Sequence, residues 1–253
     1  MIAVLTIAGS DPSGGAGIQQ DLKVFRAFGT YGLSVVSSLT AQSSAGVAGV
    51  MAVPGKFVAK QLAVVVADIM PDAIKTGMLY SEENVNAVAA AIRRFSLPNV
   101  VVDPVIRSST GRSLCMENVP GAMKKKLLPL CTVVTPNIYE ASILSGVQIR
   151  SLRDMEKAAL KLARLGAGSV IITGGHLEAT ATDLVYDGRF HYLKGKKISG
   201  EYHGTGCTFS AALASLLAKG ESVPNAALKA KKFMGSAFRK TFSPGTGMRL
   251  FDI

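Results

Sequence analysis

Short apolar runs, rich in β-branched residues, alternate along this chain with longer stretches whose apolar positions recur every three or four residues. Ala3 to Ala8 reads as a buried strand that delivers the chain into the loop GSDPSGGAG, and an amphipathic helix follows from about Ile18 to Phe28. Tyr31 to Thr40 is a second strand, ending in Ala41-Gln42-Ser43-Ser44. A helix follows from about Lys56 to Met70, with Phe57, Gln61, Val64 and Val65 at helical spacing. Ala73 to Thr76 is a short strand into Gly77-Met78, and Ser81 caps a helix that runs to Phe95. Asn99 to Val102, Cys131 to Val134 and Ser169 to Ile172 repeat the strand pattern, with a helix capped near Ser151 and running to Leu165 between the last two. The pattern changes around Asp187-Gly188, where Leu184 to Tyr186 and Phe190 to Leu193 flank a hairpin-type turn. A last helix spans roughly Val223 to Phe242. Apolar strands alternating with amphipathic helices predict an α/β domain on a mainly parallel sheet, with an antiparallel hairpin at one edge.

In open sheets of this kind ligands bind at the carboxyl ends of the strands. The unusual polar and glycine positions fall there: Gly9 to Gly17, Gln42, Thr76 to Met78, Asp103, Asn137 to Glu140, and Gly174-Gly175. Four glycines in the first loop suggest close backbone approach by a flat ligand, although the spacing fits neither the dinucleotide fingerprint nor a P-loop. The stretch His203 to Gly220, HGTGCTFSAALASLLAKG, adds the most chemistry. Gly204 and Gly206 bracket Thr205 at the start of an apolar helix, where unpaired N–H groups and the helix dipole favour a phosphate or a migrating phosphoryl group. Cys207 sits in the same turn. A thiol at a helix N-terminus tends to have a lowered pKa and can act as base or nucleophile. In a phosphoryl-transfer reading, Asp103 and Glu140 hold Mg²⁺ directly or through water, and Cys207 takes the proton of an acceptor hydroxyl. The bland alternative makes Asp103 a turn residue and Glu140 a solvated helix carboxylate.

Composition narrows the field. The 253 residues, 48% of them hydrophobic, suit one domain spanning 1–253. The net charge of +11 raises the question of nucleic acid or a membrane surface. The basic residues are scattered, Trp is absent and no nucleic-acid-binding signature is present, so a solvated basic face is the expectation. The odd set Cys115, Cys131 and Cys207 argues against a disulfide framework and gives no zinc spacing, which fits a reducing cytoplasm. The N-terminus does not read as a signal peptide, and no stretch approaches a transmembrane helix.

The motifs together resemble the ribokinase superfamily, and within it the hydroxymethylpyrimidine and phosphomethylpyrimidine kinases of thiamine biosynthesis. The resemblance rests on TIAGSDPSGGAGIQQDLK (Thr6 to Lys23), KTGML (Lys75 to Leu79), VVDPV (Val101 to Val105), TPNIYEA (Thr135 to Ala141), GGH (Gly174 to His176) and HGTGCTFSAALA (His203 to Ala214). It implies a three-layer α/β/α sandwich, ATP with Mg²⁺ as donor, and two successive phosphorylations of 4-amino-5-hydroxymethyl-2-methylpyrimidine. It also implies site roles. Gln42 reads the aminopyrimidine, since an amide donates and accepts at once. Gly9, Ala16 and Met78 line the ring pocket, with Asp21 near the hydroxymethyl end. Asn137 and Glu140 match the N-x-x-E element for metal and phosphate, Thr173 and Gly175 meet the nucleotide, and the Gly204-Thr205-Gly206 loop holds the migrating group. Cys207 stands where most relatives have an aspartate base. Two sites depart from the pattern: Thr173 replaces a lysine, and Arg107 and Ser109 replace an apolar residue and a lysine. Arg107 is either a contact for the monophosphate or simply exposed. Pyridoxal kinases share several of these motifs and are the runner-up, and Gln42 favours the pyrimidine. A catalytically silent homologue is a further alternative, disfavoured by the intact loop with Asp103 and Glu140. The family resemblance also suggests a homodimer.

Overall fold

A computed structural model describes residues 1–108, 111–175 and 181–253. Ser109 and His176, singled out above, lie outside the described residues. The chain opens with β1 (Ala3–Ser10), α1 (Gly17–Ala27), β2 (Tyr31–Ser43), β3 (Gly46–Ala52), α2 (Gly55–Asp68), β4 (Ala73–Thr76), α3 (Glu82–Phe95) and β5 (Val100–Val102). It continues through α4 (Val119–Ala122), which runs on through a π-turn and a 3₁₀ turn to Leu130, then β6 (Val133–Val134), α5 (Ile138–Ser145), α6 (Leu152–Arg164) and β7 (Val170–Ile172). It closes with β8 (Asp183–Tyr186), β9 (Phe190–Leu193), α7 (Thr205–Ala218), α8 (Val223–Ala237), β10 (Thr241–Phe242) and β11 (Leu250–Phe251).

Nine strands form one sheet in the order β3-β2-β1-β4-β5-β6-β7-β8-β9. The pairs from β2 through β7 are parallel, and the β7–β8 and β8–β9 pairs form the expected antiparallel edge. Successive side chains of a strand point to opposite faces, and the core divides accordingly. Leu5, Ile7, Ile74, Val102, Val134 and Ile172 pack with α2, α3 and α6 on one face. Val4, Ala73, Val101, Val133 and Ile171 pack with α1, α7 and α8 on the other. Both faces of the central strands are therefore dry, which is why those strands are written as unbroken apolar runs. The result is a three-layer α/β/α sandwich.

The predicted caps hold: Ser81 accepts from the Asn84 amide, and Ser151 from that of Asp154. Three features differ from the sequence reading. First, the chain turns back after Ser43 as β3, antiparallel to β2, so Gln42 lies on a long hairpin. The alternation that marks a strand is blurred there by Gly46 and Gly49. Second, the last helix stops at Ala237, and Thr241–Phe242 pair instead with Leu250–Phe251. Third, the segment from Val119 to Leu130 is helical, with Pro120 at the start of its first turn. Among the described residues no helix is long and apolar enough to cross a membrane.

Candidate active site

Two glycine-rich loops meet at the carboxyl ends of β1, β4 and β5. Gly204 is the N-cap of α7 at φ 79°, and a Cβ there would lie 1.9 Å from the carbonyl oxygen of Gly15. A Cβ on Gly17, at φ 59°, would lie 2.4 Å from the carbonyl oxygen of Gly9. The Gly204–Gly15 contact brings the loop before α1 and the loop before α7 together, as the shared position at strand ends predicts, and the Gly17 contact tightens the first loop on itself. Thr205 and Gly206 are exposed, and the first N–H groups of α7 have no partner within the helix. Their dipolar, amide-lined mouth faces Asp103, whose Oδ2 would lie 3.8 Å from a Cβ on Gly206 and accepts from Ser210 Oγ at 2.8 Å.

Beneath that mouth lies a buried charge cluster. Lys75, fully buried on the four-residue strand β4, places its ammonium 2.9 and 2.8 Å from the two carboxylate oxygens of Asp21 and 4.0 Å from Asp103. Burial alone would lower the Lys75 ammonium, but Asp21, with help from Cys207 and Asp103, holds it above its ordinary value. Asp21 also accepts from Thr6 at 2.6 Å and has no exposed surface. It lies beneath the mouth as the partner of Lys75 and presents no surface of its own to the cleft.

The environment of Cys207 also departs from expectation. The residue is partly exposed, yet crowding around its sulfur pushes the thiol up to about 12. Lys75 and the Gly17 amide pull the other way, while Asp21 and Asp103 add to the rise. The helix N-terminus is thus outweighed by burial and by two nearby carboxylates, and the resting group is a thiol. Glu140 is buried as well. Its carboxylate accepts from the amides of Asn137 at 3.0 Å and Ile106 at 3.4 Å, and with Asn137 it forms the capping box of α5. Burial, and then the charge of Asp103, push Glu140 up to about 8. It is not a solvated helix carboxylate.

A third group faces the β2–β3 hairpin. His203 Nε2 lies 2.8 Å from Asp11 Oδ2 and 2.9 Å from the side-chain amide of Gln42. Asp11 also accepts from the Ser13 amide and hydroxyl and from the amide of Ala16. Burial works against its charge, but these donors, His203 first, hold the carboxyl below its ordinary value. Gly9 and Met78 are neighbours, since a Cβ on Gly9 would lie 3.3 Å from the Met78 sulfur and 2.7 Å from Ser38 Oγ. Along the sheet, a bridge joins Asn137 to Thr173, while Gly174 donates to Asp183 and Gly175 is exposed. Arg107 is exposed and lies over the Tyr139 ring at 4.4 Å, beside the capping box.

The predicted residues thus fall into one strip along the strand ends. Lys75, Asp11 and His203 were quoted in motifs but given no role. A lysine inside the all-buried strand AIKT was the available signal for the first, because a buried ammonium requires a carboxylate partner. His203 and Asp11 are 192 positions apart, and their meeting is visible only in the folded chain.

A parallel three-layer sheet with a glycine-flanked helix mouth, a buried acid and a thiol at its strand ends defines a ribokinase-like phosphotransferase. Within that class the chain belongs to the phosphomethylpyrimidine kinase family, whose model matches residues 11–252. It is 41% identical to the hydroxymethylpyrimidine/phosphomethylpyrimidine kinase of Bacillus subtilis, over 96% of this chain and 91% of that protein. It is 44% identical to the thiamine biosynthesis bifunctional protein ThiED of Geobacter sulfurreducens over 97% of this chain, and there it spans about half (51%) of the relative's length. Among solved structures, the pyridoxal kinase from Staphylococcus aureus in complex with AMP-PCP and pyridoxal matches with a TM-score of 0.91 at 38% identity, covering 100% of this chain and 93% of that one.

Proposed function

We propose that this protein transfers a phosphoryl group from ATP to the hydroxymethyl group of 4-amino-5-hydroxymethyl-2-methylpyrimidine, and then a second to the resulting monophosphate, as a step in thiamine biosynthesis. The observation that carries the proposal is the convergence of the Gly204–Cys207 mouth on Asp103 and Lys75, in a chain of this family. The amides of the first turn of α7 stabilise the charge that builds on the migrating group. Lys75 keeps the floor of that mouth from carrying two uncompensated carboxylates. Asn137, Thr173 and Gly175 are assigned to the nucleotide, a reading supported by the bridge that sets Asn137 beside Thr173 at neighbouring strand ends. Nucleotide use is supported by the AMP-PCP complex of the S. aureus neighbour.

Asp103 and Glu140 fit a magnesium site. They are two buried carboxylates close enough for the charge of one to raise the other, and a divalent cation relieves that repulsion. An ion there would be held by one or two carboxylates, with water and phosphates completing its shell. Bound there, Mg²⁺ supplies charge neutralisation for the phosphates. Of the groups around Cys207, Lys75 and the Gly17 amide are the two that favour its thiolate, the form that would accept the substrate's proton.

Pyridoxal is the second reading, favoured by the fit to the S. aureus pyridoxal kinase. Incubation of the protein with ATP-Mg²⁺ and either compound, with products read by mass spectrometry, separates the two. Phosphorylation of the aminopyrimidine is expected, and phosphorylation of pyridoxal alone would overturn the assignment.

A further inference from the structure

Hydrogen-bond accounting around Gln42 assigns a role to His203. Asp11 accepts from three donors besides the imidazole and is held as a carboxylate. His203 Nε2, 2.8 Å from that carboxylate, must therefore carry the proton, because a lone pair facing a carboxylate at this distance is repulsive. The same nitrogen is 2.9 Å from the Gln42 amide. If Gln42 presented its NH₂ there, two donors would face each other. A second conflict sits on the other side of the amide. Thr40 Oγ1 has one proton, which it gives to the Ser10 carbonyl at 2.9 Å, yet it also lies 3.2 Å from the far end of the Gln42 amide. With the Gln42 oxygen at that end, the same proton is claimed twice. Turning the amide by half a rotation removes the clash of donors: the one Nε2 proton of His203 is then shared between Asp11 Oδ2 and Gln42 Oε1 as a three-centre bond, and Gln42 Nε2 donates to Thr40, whose own proton stays on Ser10. Oxygen and nitrogen of an amide are told apart only by such networks.

We propose that His203, fixed by Asp11, is a positioning residue that sets the orientation of the Gln42 amide and thereby the order of donor and acceptor offered to the substrate. The inference rests on Gln42 as the pyrimidine reader. One lone pair on Oε1 and one N–H on Nε2 remain free, in an order fixed by the imidazole. A 4-aminopyrimidine edge presents a donor beside a ring-nitrogen acceptor. Its 4-oxo analogue presents the reverse order, with a carbonyl beside a ring N–H, and so meets the amide mismatched at both contacts. His203 is thus a selector between the two edges.

The test uses His203→Gln, which keeps an N–H donor, against His203→Met, its near-isostere without one, with Gln42→Leu and the Gln42→Leu/His203→Met double variant. Each is assayed with the aminopyrimidine and its 4-oxo analogue. Gln42→Leu and His203→Met are each expected to raise KM for the aminopyrimidine roughly tenfold or more, as for a polar group left mispaired, with KM for ATP unchanged. His203→Met should also erase most of the preference over the 4-oxo analogue. His203→Gln should restore KM and preference, and the double variant should be no worse than Gln42→Leu alone. Comparing Gln with Met cancels the packing of the imidazole on Gly15, so a shared loss of stability does not blur the result. If Gln42→Leu raises KM while His203→Met and His203→Gln behave alike, the positioning role is wrong although Gln42 still reads the pyrimidine. If Gln42→Leu leaves KM unchanged, the pyrimidine-reading role fails first and the inference goes with it.

Discussion

At the scale of single residues, Cys207 carries the sharpest consequence. Its thiol, pushed up to about 12, is protonated near neutrality, so its value as a base depends on charges brought by the bound reactants. The second phosphorylation has an acceptor that is already anionic and needs little help from a base. Cys207→Ala should therefore slow the first step by roughly 100-fold or more and the second much less, as read by single-turnover assays on each acceptor. Equal losses would leave Cys207 as part of the anion loop only. Glu140 makes a prediction about pH. Its carboxyl ionises near 4.5 in the unfolded chain and near 8 in the folded one. Between those values the folded protein keeps a proton that the unfolded chain has released, so stability falls as pH rises through that window. Glu140→Gln keeps the capping box and should remove that part of the slope, on the order of a few kcal/mol, in urea titrations at pH 5 and pH 8. Lys75→Met leaves Asp21 buried without its cation and should cost about 3–5 kcal/mol. Lys75→Met with Asp21→Asn should recover much of it.

At the scale of elements, the mouth of α7 depends on glycine for two separable reasons at one position. Gly204 has a backbone conformation that L-residues adopt at a cost, and its missing Cβ makes room for the Gly15 carbonyl. Gly204→Ala is expected to lower both the melting temperature and kcat, whereas Gly175→Ala, which meets nothing within 4 Å, should leave the melting temperature unchanged. Elements that follow a single rule were legible in the sequence: β4 came out as Ala73–Thr76, and α3 and α6 began at the predicted serine caps. Elements set by tertiary pairing were not. β3 forms because β2 offers it an edge, and the chain after Ala237 leaves the helix to pair Thr241–Phe242 with Leu250–Phe251. Both pairings are local, but Gly46 and Gly49 blur the alternation of β3, and two-residue strands such as Thr241–Phe242 are too short to leave a pattern. The same distinction holds in the site. Asp103, Glu140 and the Gly204–Cys207 turn were visible as polar punctuation at strand ends. The burial that raises Cys207, and the retreat of Asp21 to Lys75, arise from what the fold packs around them.

At the scale of the whole molecule, one sheet aligns the ends of six parallel strands, so residues from Gly9 to Cys207 share a single strip. In the proposed reaction that strip would order the chemistry, with the Gln42 and His203 corner for the ring, the Asp103 and Cys207 mouth for the transfer, and the Asn137 to Gly175 stretch for the nucleotide. A single pocket that receives first an alcohol and then its phosphate makes a quantitative demand on turnover. The direct measurement is the amount of ADP formed per molecule of limiting 4-amino-5-hydroxymethyl-2-methylpyrimidine at completion, with the product followed by phosphorus NMR. The account predicts two ADP per pyrimidine, with a monophosphate that rises and then gives way to a diphosphate. No ADP, or a reaction that stops at the monophosphate, would contradict it.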